Sequence, residues 1–121
     1  MIIVDTSIWV NHLRGIDSPL DEILGSGAEL LHPFVYGELL LNGLPKRGEF
    51  AERLQSLKPA PVAAPSDVAA FIVWANLAGT GIGYVDACLL VSARLLPNGA
   101  IMTLDNDLRA QAERFDLAYA P

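Results

Sequence analysis

Short apolar runs alternate with longer segments whose apolar residues recur at helical spacing. The runs at residues 1–5, 28–32 and 100–104 have the length and composition of buried strands. An amphipathic segment follows each of them, and such alternation is typical of strands that pair in parallel and are covered by helices. The pattern predicts an α/β fold, an α/β/α sandwich around a mostly parallel central sheet, in one domain over residues 1–121.

Caps and breakers set the expected element bounds. Helices are predicted at 6–14, 19–25, 34–43, 49–57, 66–78, 84–95 and 107–114. Ser66 is expected to cap the fifth of them. The proline-dense segment 58–65 is predicted to contain a short extended piece rather than a linker, and residues 115–120 a final strand.

Four carboxylates occupy apolar surroundings. Asp5 and Asp105 each close a predicted strand, whereas Glu38 and Asp86 lie in apolar helical stretches near the starts of helices. The carboxyl ends of parallel strands meet at one edge of a sheet, so the same edge could collect all four acids. A buried, ionised carboxylate is costly unless it is paired or binds a metal. Since no matching set of apolar-flanked Lys or Arg exists, the pattern predicts a divalent metal site.

Each acid also has a structural alternative. Asp5 can be the N-cap of the helix that follows it, and either Asp105 or Asp107 can cap the last helix. The other two acids have different alternatives. Asp86 can pair with Arg94, and Glu38 can be a solvated helix residue. A shared site is preferred because it accounts for all four at once.

Composition narrows the class of protein. The chain has 121 residues, 52% of them hydrophobic, a net charge of −6 and one cysteine. Such a charge argues against a broad basic surface for nucleic acid, although bound cations would neutralise part of an acidic pocket. Cys88 is expected to be a buried thiol in a reducing compartment. With no charged leader and no long apolar segment, a cytoplasmic protein without a membrane span is predicted.

Other catalytic classes fit poorly. A phosphatase with an aspartyl nucleophile would need an Asp two positions after Asp5, where Ser7 stands, and no P-loop is present. His12 and His32 lack metal-ligand spacing and are expected to be packed or surface residues. Trp9 is expected to be a core or interface residue, as is Trp74.

The segments around the acids resemble those of the PIN domain, specifically the VapC-type toxin ribonucleases of toxin–antitoxin pairs. The resembling segments are Ile3–Val10, Tyr36–Leu39, Tyr84–Ala87 and Thr103–Leu108. Their order and spacing, over nearly the whole chain, carry the resemblance. It implies a metal-dependent endoribonuclease that hydrolyses RNA with water activated on Mg²⁺ or Mn²⁺.

The resemblance also assigns roles. It makes Asp5 and Asp86 the primary metal ligands, with Glu38 and Asp105 completing the site. The supporting residues that it implies are Ser7, Thr103 and Asp107. Whether Asp105 or Asp107 is the closer ligand stays open, as does the number of ions. The alternative function is a catalytically silent PIN-like domain that binds RNA or protein.

Partners follow from the same resemblance and from the leucines near Glu38. The apolar residues Leu39, Leu40, Leu41 and Leu44 exceed what one amphipathic face can bury, so some should be exposed. The expected partner is an antitoxin whose helix covers this surface and whose Arg or Lys enters the acidic cluster. A two-fold homodimer is also expected. Arg14, Lys46 and Arg47 are interpreted as solvated residues rather than phosphate contacts.

Overall fold

The computed structural model describes residues 1–44 and 48–120 and contains one four-stranded sheet. Its strands are β1 (Ile2–Val4), β2 (Glu29–Leu31), β3 (Lys58–Pro59) and β4 (Ala100–Met102). They lie in the order β3-β2-β1-β4, and every pairing is parallel. The predicted α/β class and parallel sheet are confirmed, and so is the short extended piece in segment 58–65.

Seven helices occur in the described part of the chain. They are α1 (Thr6–Leu13), α2 (Leu20–Ile23), α3 (Pro33–Leu41), α4 (Glu49–Gln55), α5 (Pro65–Trp74), α6 (Tyr84–Arg94) and α7 (Asn106–Arg114). Helix α1 packs against α3, and α5 packs against α6. Helix α6 also contacts β1 and β4, so it covers the half of the sheet that these two strands form.

The core explains why the ends of β1 and α6 are fixed in position. Ile3 and Val4 of the central strand are fully buried, as are Leu89 and Leu90 of α6. Only the first three residues and the last of α6 are not buried. The acid that follows β1 and the acid in the first turn of α6 therefore stand directly beside the core.

Two predictions about helix α5 are wrong. The helix begins at Pro65 with Ala64 as its N-cap, so Ser66 does not cap it. Proline is favoured at the first helical position because its ring presets φ and its missing N–H would be unpaired there anyway. The helix ends at Trp74 rather than near 78, and Asn76 then adopts a left-handed φ of 53° that a helix cannot continue through.

The final strand predicted at 115–120 is also wrong. Only one bridge forms there, in parallel between Ile101 and Ala118. Asp116 has a positive φ of 57°, which breaks the extended backbone shortly before that bridge. The segment nevertheless runs along β4, since Ile101 N donates to Leu117 O and Tyr119 N donates to Ile101 O.

The prediction that some of the leucines near Glu38 are exposed is confirmed. Leu39 and Leu44 are buried, but Leu41 is 89% exposed. Helix α3 ends at Leu41, two residues before the predicted end at 43, and the interpretation of Lys46 and Arg47 concerns residues outside the described ones. An exposed leucine beside Glu38 is therefore available to a partner.

The two tryptophans differ in burial, and the cysteine is buried. Trp9 is 1% exposed and belongs to the core, whereas Trp74 is 65% exposed and does not. Cys88 is buried, as predicted. Among the helices of the described residues, none combines the length and apolarity needed to cross a membrane.

His32 joins the end of β2 to the start of α3. Its Nδ1 accepts a hydrogen bond of 3.0 Å from Phe34 N, and the side chain is fully buried. Burial lowers the pKa of His32, because protonation would place a charge in the core and convert the accepting nitrogen into a donor. The unfolded chain therefore takes up this proton at a higher pH than the folded protein does.

His32→Asn is expected to reduce the loss of stability in mild acid. As the pH falls below the ordinary histidine value of 6.5, the unfolded state binds a proton that the native state does not, so stability decreases. The slope for one proton is at most about 1.4 kcal/mol per pH unit. Asn keeps an N-cap acceptor and has no such titration.

Urea unfolding at pH 7.5 and 5.5 measures this difference for both proteins. Circular dichroism at pH 7.5 serves as the control for an intact fold. Equal losses between the two pH values in wild type and variant would contradict the role of His32.

Candidate active site

Asp5 follows β1 and begins α1, and its buried carboxylate is held by three donors. Oδ1 accepts from Thr6 N at 2.8 Å, and Oδ2 accepts from Ser7 Oγ at 3.2 Å and from Thr103 Oγ1 at 2.7 Å. Asp5 is therefore the N-cap that its position suggested. Its second oxygen makes bonds that capping does not require, because Thr103 comes from the far end of the chain.

Thr103 connects Asp5 to Asp105. Its hydroxyl donates to Asp5 and accepts from Asp105 N at 3.0 Å, and Ser7 Oγ accepts from Leu104 N at 3.2 Å. These bonds join the segment after β1 to the segment after β4. Ser7 and Thr103, both predicted as supporting residues, contact Asp5, and Thr103 also accepts from the backbone N–H of Asp105.

Asp105 is exposed and caps α7, since its Oδ1 accepts from Leu108 N at 2.9 Å. Its second carboxylate oxygen forms no hydrogen bond within the described residues. The cap leaves one oxygen of Asp105 free at the edge of the sheet where Asp5 lies.

Glu38 reaches the same edge from α3. It is the sixth residue of that helix, and it would be the fifth of the helix predicted at 34–43. Its Oε1 accepts a hydrogen bond of 2.7 Å from Thr6 Oγ1. Thr6, which directly follows Asp5, therefore holds the second acid beside the first. Thr6 is one of the two hydroxyl residues after Asp5, of which only Ser7 was named as a supporting residue.

Asp86 is the third residue of α6, and its Oδ2 accepts from Gly83 N at 3.1 Å. Burial raises the pKa of Asp86, and the nearby charges of Asp5, Asp105 and Glu38 raise it further. The structure thus brings the other three acids within range of the charge of Asp86. The alternative pairing with Arg94 does not occur, because that guanidinium lies 5.0 Å from the centre of the Phe71 ring.

The cluster has a donor set suited to a hard cation. In residues 1–44 and 48–120 the one ion pair is that of His12 with Asp21, so none of the four acids is neutralised there. As placed, no group of three or more acid, His or Cys side chains in those residues converges on one metal position. The ligands on offer are all carboxylate oxygens, which suit Mg²⁺ and Mn²⁺ rather than zinc.

Asp107 lies away from the shared hydrogen bonds. Its side chain packs against Gly81, where an added Cβ would stand 2.4 Å from Asp107 Oδ2. Gly81 has a φ of +89°, so glycine suits the position on both counts. The side chain of Asp107 therefore lies against the loop that leads into α6 and Asp86.

This chain resembles known proteins over its full length. A model of the PIN domain matches residues 2–114, so the chain belongs to the PIN-domain family. It is 37% identical to Ribonuclease VapC32 of Mycobacterium tuberculosis strain CDC 1551 / Oshkosh, over 99% of this chain and 97% of that protein. The same values hold for Ribonuclease VapC32 of strain ATCC 25618 / H37Rv. The predicted resemblance to VapC-type PIN proteins is confirmed.

Asp5→Asn and Asp86→Asn are expected to shift the stability of the metal-free protein in opposite directions. Asp5 uses both oxygens as acceptors, so an amide nitrogen there loses hydrogen bonds at a cost of about 1–3 kcal/mol. Asn at position 86 keeps the acceptor for Gly83 N and removes a repelled, half-buried charge, so the free energy of unfolding should rise.

Urea unfolding at pH 7 in EDTA measures both effects. Glu113→Gln, an exposed change near the end of α7, is the control and should leave the midpoint unchanged. Stabilisation by Asp5→Asn, or destabilisation by Asp86→Asn, would show that the hydrogen bonds and charges act otherwise.

Proposed function

We propose that this protein is a magnesium-dependent endoribonuclease that acts as the toxin of a toxin–antitoxin pair. The observation that carries the proposal is the hydrogen-bond network at the end of β1, in which Thr103 links Asp5 to Asp105 and Thr6 holds Glu38 beside them. None of these acids forms an ion pair in the described residues, so their negative charges are not neutralised there. Membership of the PIN-domain family and full-length similarity to proteins named as ribonucleases support the same function.

Asp5 and Asp86 would be the primary ligands of Mg²⁺, with Mn²⁺ as its substitute. Glu38 would complete the site or orient the attacking water, and Asp105 would hold a second ion or an outer water. A divalent ion in such a site lowers the pKa of bound water and neutralises phosphate charge.

The chain's own residues would keep these ligands in place. Ser7 and Thr103 donate to one oxygen of Asp5, so the carboxylate cannot turn away from the edge of the sheet. Thr6 holds Glu38 by its Oε1 and leaves Oε2 free. Gly83 N holds Asp86 by Oδ2 and leaves Oδ1 free. Preorganised acids of this kind favour metal and water positions that need little rearrangement.

A second candidate function is binding of RNA or protein without cleavage. It is favoured because no three of the carboxylates converge on one metal position in the described residues. In that case the acids would serve as caps and as a metal-stabilised scaffold. The two functions differ in one observable, the metal-dependent production of RNA fragments.

The antitoxin would cover the apolar part of α3. Leu41 is 89% exposed and Phe34 is 39% exposed on this helix, and Glu38 lies between them in the sequence. An amphipathic helix fits such a surface. An Arg or Lys of the antitoxin would then reach the four acids and compete with metal or phosphate. We further propose a two-fold homodimer formed through other apolar helix faces, and a cytoplasmic location.

Purified protein is expected to cleave RNA with Mg²⁺ or Mn²⁺ and to stop in EDTA. Asp5→Asn and Asp86→Asn should each lower the cleavage rate by at least about 100-fold, because each removes a charged metal ligand. Millimolar Mn²⁺ should also raise the melting temperature of the wild type, since it binds the folded state.

Gel assays on total RNA and thermal melts measure these effects, with Glu113→Gln as the control that should cleave normally. Full cleavage by both Asn variants at equal metal concentration would reject the assigned site. Intact RNA at every metal concentration would leave the silent binding domain as the better function.

Expression of the protein alone is expected to arrest growth, and co-expression with its antitoxin should restore growth. The complex should have little ribonuclease activity because the acids are covered. Leu41→Asp should weaken the complex, since it places a charge on the apolar face, while leaving cleavage by the free protein intact.

Pull-down of the tagged protein and growth curves measure this outcome. Leu95→Asp, at another exposed leucine, is the matched control. A harmless protein that retains no small partner would contradict the toxin function even if the nuclease activity is real.

A further inference from the structure

A second feature of the molecule is a cleft that shares Thr103 with the hydrogen bonds of Asp5. The cleft has a volume of about 290 Å³ and opens between the start of α1, the end of β4 and the segment after α7. Its walls include Ile8, Pro19, Met102, Leu104, Arg109 and Tyr119. Thr103 also lines it, and the hydroxyl of Thr103 donates to Asp5. The cleft and the acidic cluster therefore adjoin at Thr103, although the acids themselves do not line the cleft.

Arg109 supplies the positive charge of this cleft. Its Nη2 donates to Thr103 O at 2.6 Å, and the guanidinium makes no other hydrogen bond with residues 1–44 or 48–120. Asp105 is the N-cap of α7, four residues before Arg109, and this spacing suits an ion pair. No ion pair forms between these two residues. Arg109 is thus fixed by a neutral carbonyl and keeps its charge and further N–H groups for a ligand.

The walls of the cleft are apolar and partly accessible. Leu104 is 43% exposed although it follows a buried strand, and Tyr119 is half-buried. Backbone bonds from Ile101 to Leu117 and from Tyr119 to Ile101 hold the tyrosine beside β4. A rigid aromatic ring near an uncompensated guanidinium is the combination that binds unpaired nucleotides, through stacking and charge.

We propose that this cleft receives one unpaired base of the RNA next to the bond that is cleaved. The inference rests on the proposed function and adds the origin of sequence preference. An RNA segment is favoured over a protein segment because Arg109 is held by the carbonyl of Thr103, the residue whose hydroxyl orients Asp5, so the charge of the cleft stands one residue away from the proposed cleavage site. Arg109 offers only donors, so a base edge with two acceptors fits best, as O6 and N7 of guanine do.

Cleavage-site mapping of native protein and variants on total RNA, with single-turnover kinetics on the best site, tests the proposal. Arg109→Gln keeps a donor for Thr103 O, and Tyr119→Ala removes the ring. Each should lower kcat/KM on the preferred RNA by about 10- to 100-fold, mainly through KM, and should relax the base preference at one position beside the cleaved bond. Tyr119→Phe should retain that preference.

Arg114→Gln is the matched control, because Arg114 also lies on α7 and donates to a backbone carbonyl, that of Ala75, outside the cleft. It should leave the preference unchanged. If Arg109→Gln and Tyr119→Ala slow all sites equally with the preference intact, the cleft does not read a base. Loss of antitoxin binding with unchanged preference would assign the cleft to a protein contact and overturn the proposal.

Photocrosslinking of the native protein tests the cleft without any variant. Single-stranded RNA containing 6-thioguanosine, irradiated with the protein in EDTA, should give an adduct at Tyr119 or Leu104 that mass spectrometry can locate. Adducts only at other residues would reject the base site. Because this arm needs no cleavage, it separates failure of the cleft from failure of the nuclease function.

Discussion

The buried carboxylate of Asp5 is the constraint on which the rest of the site depends. A charge placed at the end of a central strand must be satisfied, and in this protein Thr6, Ser7 and Thr103 satisfy it. Thr103 belongs to the segment after β4, so the requirement for hydrogen bonds ties two neighbouring strand ends together. The same hydroxyl fixes Asp105 through its backbone N–H. The caps of α1 and α7 therefore belong to one network rather than forming two separate helix starts.

In the sequence, capping a helix was an alternative to a place in a shared site for Asp5 and Asp105. In this network the two are compatible. Asp5 and Asp105 do cap helices, but each cap uses only one carboxylate oxygen. A carboxylate has two oxygens with several acceptor positions, so capping fixes its orientation without exhausting its capacity. Asp86 follows the same rule, since Gly83 N occupies one of its oxygens. Backbone N–H groups at helix starts thus hold one oxygen of each of these acids and leave the other for contacts beyond the cap.

The fold and the location of the acids could be predicted because both depend on local patterns. Buried strands read as apolar runs, and an acid that ends such a run has its place set by the parallel sheet. The errors have local causes as well. Ser66 is a good cap in isolation, but Pro65 begins the helix first. The last segment is apolar enough for a strand, but Asp116 adopts a positive φ and leaves one bridge. Contacts between segments that are far apart in the sequence, such as that of Thr103 with Asp5 or of Asp107 with Gly81, carry no periodic signal.

The charge distribution explains how an acidic chain can be suited to RNA. A net charge of −6 repels phosphate at long range, so binding cannot depend on a broad basic surface. What remains is short-range: acids that attract divalent cations, and a guanidinium held beside them by a carbonyl rather than by a carboxylate. An ion pair between Arg109 and Asp105 would neutralise both side chains. The acid would then attract a divalent cation less strongly, and the guanidinium would attract phosphate less strongly. The bond to Thr103 O keeps the two charges apart, and it places the arginine on the residue whose hydroxyl orients Asp5. Under the proposed function, the geometry that orders the acids is therefore the same geometry that positions Arg109 in the adjoining cleft.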